Sequence, residues 1–150
     1  MKYKNVKVSL LQTSDFNRVQ EMDGMSGFDV SQWVLDAIDD GKEECSSTYG
    51  IKLGDELIGY CSIGYAGGAL CIDVDDVDSR LLSDVFILPE YRHNGYGSML
   101  INEVIKLESD CTDYDLYLTY IYDELQDFYE NFGFIHVKGT NNIMVRKAIN

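Results

Sequence analysis

At 150 residues and 45% hydrophobic, the chain has the length of one globular domain, able to bury roughly 70% of the surface its unfolded form exposes. Acidic residues outnumber basic ones 26 to 12, a formal charge of -14, and a field of that sign repels nucleic-acid phosphates and favours a cationic substrate. No run of about eighteen apolar residues is present to span a membrane, and the start, MKYKNVKVSLLQ, alternates polar and apolar residues where a signal peptide has an uninterrupted apolar stretch; a cytoplasmic protein with neither nucleic-acid nor membrane partner is expected.

Along the chain, Asn5 to Gln12 carries Val6, Val8 and Leu10 on one face, the period of a strand, and Ser14 offers an N-cap for a helix through Phe16, Val19 and Met22. Gly24 to Gly27 reads as a loop. Asp29 and Gln32 then resemble a capping box for a second helix over Trp33, Val34, Ala37 and Ile38, ended by Gly41. Ser46 to Leu53 and Glu56 to Tyr65 are strand-like and meet at Gly54-Asp55, the short turn of an antiparallel hairpin.

Gly67-Gly68 interrupts, and the alternating aspartates between Cys71 and Arg80 form an edge strand or a solvated acidic loop. They lack the central glycine and distal glutamate of a calcium loop. Leu81 to Leu88 is the most apolar strand candidate. It feeds a helix over Gly95 to Glu108, with Met99, Leu100, Val104 and Leu107 on one face. Asp115 to Tyr120 is a further strand, Asp123 and Gln126 cap a short helix closed by Gly133, and Phe134 to Val137 with Ile143 to Arg146 make a last hairpin. This order predicts an α/β (α+β) domain: a mixed sheet with helices packed on its faces.

Cys45, Cys61, Cys71 and Cys111 have no Cys-x-x-Cys spacing and only two histidines for company, so most are expected as buried thiols and no metal site is expected. The densest chemical signal is Val85-Phe86-Ile87-Leu88-Pro89-Glu90-Tyr91-Arg92-His93-Asn94-Gly95-Tyr96-Gly97-Ser98, an apolar strand, a proline, a glycine-containing turn and a helix. The orphan amides of a helix N-terminus point outward with the positive end of its dipole, and glycines let a pyrophosphate approach the backbone. One charge at a dipole gains only about 0.3 to 1 kcal/mol, so several amides and Arg92 must act together against the acidic field. Leu100 stands where a dinucleotide fingerprint needs its third glycine, and no Gly-Lys-Ser or Gly-Lys-Thr occurs, which excludes a P-loop.

The second signal is Phe128-Tyr129-Glu130-Asn131-Phe132-Gly133-Phe134. Together, Pro-x-x-Arg-x-x-Gly-x-Gly after a strand and Phe-Tyr-x-x-x-Gly-Phe at the end of a later helix resemble the two signature regions of the GNAT superfamily of acyl-CoA N-acyltransferases. The resemblance implies a single GNAT-like domain over residues 1–150, with a mixed, mostly antiparallel sheet of about seven strands and helices on both faces. It also implies acetyl-CoA as co-substrate and a small-molecule or peptide amine as acceptor, and it allows a homodimer. In such a fold the fourth strand splays from the fifth. Backbone groups of Val85, Phe86 and Ile87 would then hold the acetyl carbonyl and pantetheine, and His93 to Ser98, with Arg92, would wrap the pyrophosphate.

By the same resemblance Tyr129 is the general acid that meets the departing thiolate. With ordinary pKa values near 10 for tyrosine and about 8.5 for a thiol, full proton transfer is uphill by roughly 2 kcal/mol, so hydrogen-bond donation suffices. The amine must lose a proton before it attacks, at a cost of roughly 4.6 kcal/mol at pH 7 for a lysine-like group. Asp84 is the first candidate base, with Ser83 and Tyr117 as relays through water; a bulge or the sheet face decides which of Asp84 and its neighbours looks into the cleft. The chain departs from the family where an asparagine often precedes the last catalytic helix, since Tyr122 stands there, and where His93 and Asn94 replace a glycine and a basic residue of the loop. The expectation is direct transfer without an acetyl-enzyme; the alternatives are a noncatalytic acyl-CoA-binding or sensing module, and an acidic interaction protein that uses the aspartates of residues 73–78.

Overall fold

The structure is a computed structural model and describes residues 5–26, 46–66, 70, 79–108, 114–120 and 122–148. The second helix expected over residues 29–41, Gly67-Gly68, the acidic segment before Arg80, and Cys45, Cys71 and Cys111 lie outside the described residues. Cys61 is fully buried and in no disulfide.

The chain opens with β1 (Val6–Leu10), a single 3-10 turn (Thr13–Asp15) and α1 (Phe16–Ser26). The turn starts at Gln12 instead of Ser14: the Asp15 carboxylate accepts the Gln12 amide at 2.9 Å and takes Lys52 Nζ at 3.0 Å, which ties the helix entrance to the sheet. Helix α1 runs on through Gly24, Met25 and Ser26, where a loop was expected. A helical glycine costs about 1 kcal/mol against alanine and does not by itself end a helix, and burial of Val19 and Met22 holds the segment to the sheet.

β2 (Ser46–Leu53) and β3 (Glu56–Tyr65) form the expected hairpin, turning at Gly54 with a left-handed φ of 61°. β4 (Ser79–Ile87) leads through a short 3-10 turn (Pro89–Tyr91) into α2 (Tyr96–Glu108). Then come β5 (Asp115–Thr119), α3 (Glu124–Glu130), β6 (Ile135–His136) and β7 (Ile143–Arg146). Among the described residues the sheet has seven strands in the order β1-β2-β3-β4-β5-β7-β6. Only β4 and β5 pair in parallel. No helix among the described residues is long and apolar enough to cross a membrane.

The main core joins α1 and α2 to the sheet through Met22, Ile51, Ile58, Tyr60, Leu100, Ile101 and Leu118, all fully buried or nearly so. The buried stripe of α2 is Leu100, Ile101 and Val104; it does not extend to Leu107, expected on that face, which is 46% exposed. The far end of α2 is pinned, with the Glu108 carboxylate accepting hydrogen bonds from Tyr49 at 2.5 Å and Tyr114 at 2.6 Å. A 13-residue helix is about 20 Å long, so this clasp fixes α2 at one end and leaves its N-terminus at the opposite end of the sheet.

Candidate functional site

β4 and β5 are hydrogen-bonded only from Ser79 to Leu81 and from Asp115 to Tyr117. Beyond Leu81 and Tyr117 they part, and β4 continues alone to Ile87 along that edge. Its other edge stays on β3, but the register slips: Ser62 faces Ser83 and Tyr60 faces Phe86. Cys61 therefore opposes two residues, Asp84 and Val85, the count of a β-bulge, which frees ladder groups and re-aims side chains. The splayed strand with its bulge bounds a cavity of about 670 Å³.

One wall is strand backbone and side chain, Val85, Phe86 and Ile87. The second is the turn into α2. Pro89 starts it, Tyr91 N–H bonds the Leu88 carbonyl at 2.9 Å, and Arg92 N–H bonds the Pro89 carbonyl at 3.2 Å. His93 (φ 65°) and Gly95 (φ 88°) are both left-handed, the backbone class from which anion-binding nests are built. The first bond of α2 in this turn is Met99 N–H to the Gly95 carbonyl at 3.0 Å, so the amides of Gly97 and Ser98, two residues that line the cavity, precede it at the helix end. Arg92 reaches back, its Nε donating to the Ile87 carbonyl at 2.7 Å and its guanidinium lying 5.2 Å from the centre of the Phe86 ring.

Gly97 is informative because the fold does not require it. Its φ is not left-handed, and a Cβ there would meet Ile87 Cγ1 at 3.8 Å and Phe128 Cζ at 3.9 Å, ordinary contacts. The space beside Gly97 belongs to the cavity.

The third wall is Tyr122, Leu125, Phe128 and Tyr129. Phe128 stacks edge-on against Tyr129 and Phe132, each at 5.2 Å, and Tyr129 against Phe134 at 6.0 Å. This chain of rings, closed by the left-handed Gly133 (φ 92°) and by Arg146 Nε on the Phe132 carbonyl at 3.1 Å, fixes where the Tyr129 ring stands. Burial, with a smaller contribution from the Cys61 thiol, pushes the Tyr129 hydroxyl up to about 12. No hydrogen bond among the described residues engages that hydroxyl.

Of the residues expected from sequence, Val85, Phe86, Ile87, Arg92, His93, Gly95, Gly97, Ser98 and Tyr129 share this one cavity. Asn94 and Tyr96 do not line it: the Asn94 amide turns back onto the Tyr91 and Arg92 carbonyls at 3.3 and 3.0 Å, and the Tyr96 ring packs edge-on against Tyr91. Asp84 lies in the bulge, its side chain outside the described set. Tyr117, at the last pair before the strands part, packs with Leu81 and Val137 against the small apolar cluster of Ala66, Leu70 and Ile143. The Asp123 side chain, expected to cap α3, makes no capping bond; Gln126 instead accepts from the Tyr120 hydroxyl at 3.3 Å. Leu125 has no motif of its own, and only its helical spacing from Phe128 and Tyr129 could have pointed to it.

The profile of the acetyltransferase (GNAT) domain family matches residues 44–136, which hold the hairpin, the bulged strand, the loop, α2 and α3. Among solved structures the chain is similar to an acetyltransferase of the GNAT family from Staphylococcus aureus Mu50, 16% identical with a TM-score of 0.70 over 94% of this chain and 98% of that one. It is also similar to Arabidopsis thaliana NAA60 in complex with acetyl-CoA, 16% identical with a TM-score of 0.71 over 93% and 97%. A third is the ribosomal-protein-S18-alanine N-acetyltransferase of Escherichia coli, 14% identical with a TM-score of 0.68 over 93% and 90%. No curated protein sequence matches.

Proposed function

The chain belongs to the GNAT acetyltransferase domain family, and from that membership we propose that residues 1–150 act as one N-acetyltransferase domain that moves the acetyl group of acetyl-CoA to a primary amine by direct attack. The observation that carries this is Gly97: a glycine demanded neither by φ nor by packing, beside uncommitted helix amides, on the wall of the cavity. Close approach of a pyrophosphate to the backbone is the remaining reason for a residue without a side chain there.

In this reading the pyrophosphate lies across His93 to Ser98 and the pantetheine arm runs along Val85 to Ile87, where β4 has lost its parallel neighbour. The amine lone pair attacks the thioester carbonyl carbon, strand amides stabilise the oxyanion, and the carbon–sulfur bond breaks to release coenzyme A thiolate. Tyr129 meets that sulfur. With its hydroxyl near 12 and a thiol near 8.5, complete transfer is uphill by roughly 5 kcal/mol before the coenzyme's own burial raises the thiol, so Tyr129 acts as a hydrogen-bond donor to the developing charge. The proton lost by the amine goes to Asp84 in the bulge or to water beside it. The packing of Tyr117 in the apolar cluster makes it the weaker relay. The negative field of the whole chain favours a cationic acceptor.

Tyr129→Phe tests the assignment. It should bind acetyl-CoA as the parent does and lose about 10²- to 10⁴-fold in kcat on whichever amine the parent acetylates. Binding by the parent with no turnover across polyamines, amino acids and peptide N-termini would make the chain a coenzyme-binding module instead.

A further inference from the structure

The turn between β4 and α2 carries two kinds of side-chain tie. Arg92 and Asn94 bond within it or to the end of the strand that feeds it, on the carbonyls of Ile87, Tyr91 and Arg92. Tyr91 reaches across 35 positions of sequence instead: its hydroxyl donates to a Glu56 carboxylate oxygen at 2.6 Å. Glu56 opens β3, next to the hairpin turn. That hairpin is itself anchored, with Gly54 N–H on the Asn5 carbonyl at 2.9 Å. Leu88 N–H on the Ile58 carbonyl at 2.8 Å extends the β3–β4 pairing to the residue before Pro89. On its other side the Tyr91 ring meets Tyr96, the first residue of α2, edge-on at 6.2 Å, and it packs partly buried against the main core. Tyr91 therefore joins the hairpin to the start of the helix.

By charge alone Glu56 is the wrong group for this place, because a carboxylate tied to a turn that receives an anion repels that anion. What it supplies is an acceptor. Hydrogen bonds to a charged acceptor are the stronger class, and this one is the first cause that holds the Tyr91 hydroxyl above the ordinary phenol range, so the phenol keeps its proton as donor. We propose that Glu56 and Tyr91 are positioning residues for the coenzyme: their bond fixes the β4–α2 turn against the β2–β3 hairpin in the arrangement that receives it. The inference rests on the coenzyme reading of the cavity. Neither residue is among the described lining residues, so both act through the backbone of the turn. A turn that is already held need not be ordered when ligand arrives. The bond thus contributes to coenzyme affinity while adding little to global stability, as exposed pairs do.

The test is a double-mutant cycle read by calorimetric titration with acetyl-CoA, on the parent, Tyr91→Phe, Glu56→Ala and the double variant, with Glu56→Gln beside them. Tyr91→Phe keeps the ring on Tyr96 and on the core. Tyr91→Phe and Glu56→Ala should each weaken binding about 3- to 10-fold, and the double variant should lose no more than either single one. Glu56→Gln, whose amide oxygen still accepts, should stay within about twofold of the parent. Urea midpoints should match the parent's throughout. An effect of charge alone has the opposite sign: Glu56→Ala and Glu56→Gln would both bind the anionic coenzyme more tightly, and Tyr91→Phe would bind as the parent does. That pattern, or losses that add in the double variant, would overturn the proposal while leaving the coenzyme site intact. So would affinity lost only together with the urea midpoint, which would assign the bond to the fold. Failure of the parent to bind acetyl-CoA would overturn the coenzyme reading and this inference with it.

Discussion

In the proposed mechanism Gly97 and Tyr129 represent two ways in which single residues carry a function. There Gly97 acts by what it lacks. An alanine there would rest at 3.8 and 3.9 Å from its neighbours, so Gly97→Ala should leave the urea midpoint unchanged or raise stability by up to about 1 kcal/mol through helix propensity, yet weaken acetyl-CoA binding about tenfold or more by standing between the phosphate and the amides. A variant that lost stability and affinity together would place the glycine in the fold instead of the site. Tyr129 acts by position, held by rings on both sides. Both residues were legible in sequence because a spacing, Arg-x-x-Gly-x-Gly or Phe-Tyr-x-x-x-Gly-Phe, records a local backbone path. The turning of Asn94 onto two carbonyls left no such record, because an asparagine in a turn bonds backbone or ligand equally well.

At the scale of elements, the site depends on how β4 is held. Gly59 opposes Ile87 in the register, and a Cβ there would come within 2.5 Å of both the Phe86 carbonyl oxygen and Ile87 Cδ1. The oxygen is backbone and cannot swing aside. Gly59→Ala should therefore cost about 1–3 kcal/mol of stability, read as a lowered urea midpoint, and should weaken coenzyme binding because the strand that moves is the cavity wall. An unchanged midpoint would mean that β3 and β4 are not so closely apposed. The sequence reading placed the β2–β3 hairpin and the strand-loop-helix of β4 and α2 well, since period-2 apolar runs punctuated by glycine and proline have few other solutions. It placed helix ends less well. Gln12 and Asp15 close the start of α1 where Ser14 was expected, and Asp123 stands at the cap of α3 without bonding through its side chain: several short polar residues near a helix start compete for one role, and tertiary contacts choose among them. The bulge was anticipated only as one of two options, because its register is set by β3 and no local pattern in β4 encodes it.

Across the whole molecule, buried phenols couple stability to pH. Tyr129 is raised from 10 to about 12 by burial first, and Tyr49 is raised further, by burial and then by its hydrogen bond to Glu108. Both hold their protons more tightly folded than unfolded, so the stability they contribute is complete below pH 10 and is lost as pH climbs through the raised values. For Tyr129 alone the loss by pH 12 is about 2 to 3 kcal/mol. Urea midpoints measured from pH 8 to 12 should stay level to about pH 10 and then fall, less steeply in Tyr49→Phe; a parent curve that begins to fall near pH 8 would contradict the burial of these phenols. Strand order and the parting of β4 from β5 belong to this scale too. The parting was reached only through family resemblance and the strand order not at all, because pairings between distant strands leave no signature in either strand.

The central claim, that the splayed end of β4 and the N-terminus of α2 form a coenzyme site, is tested most directly by calorimetric titration of the protein with acetyl-CoA beside a Gly97→Glu variant of equal thermal stability. The account predicts saturable binding to the parent and none to the variant, whose carboxylate would occupy the phosphate position with the wrong charge. Equal binding to both, or no binding to the parent, would contradict it.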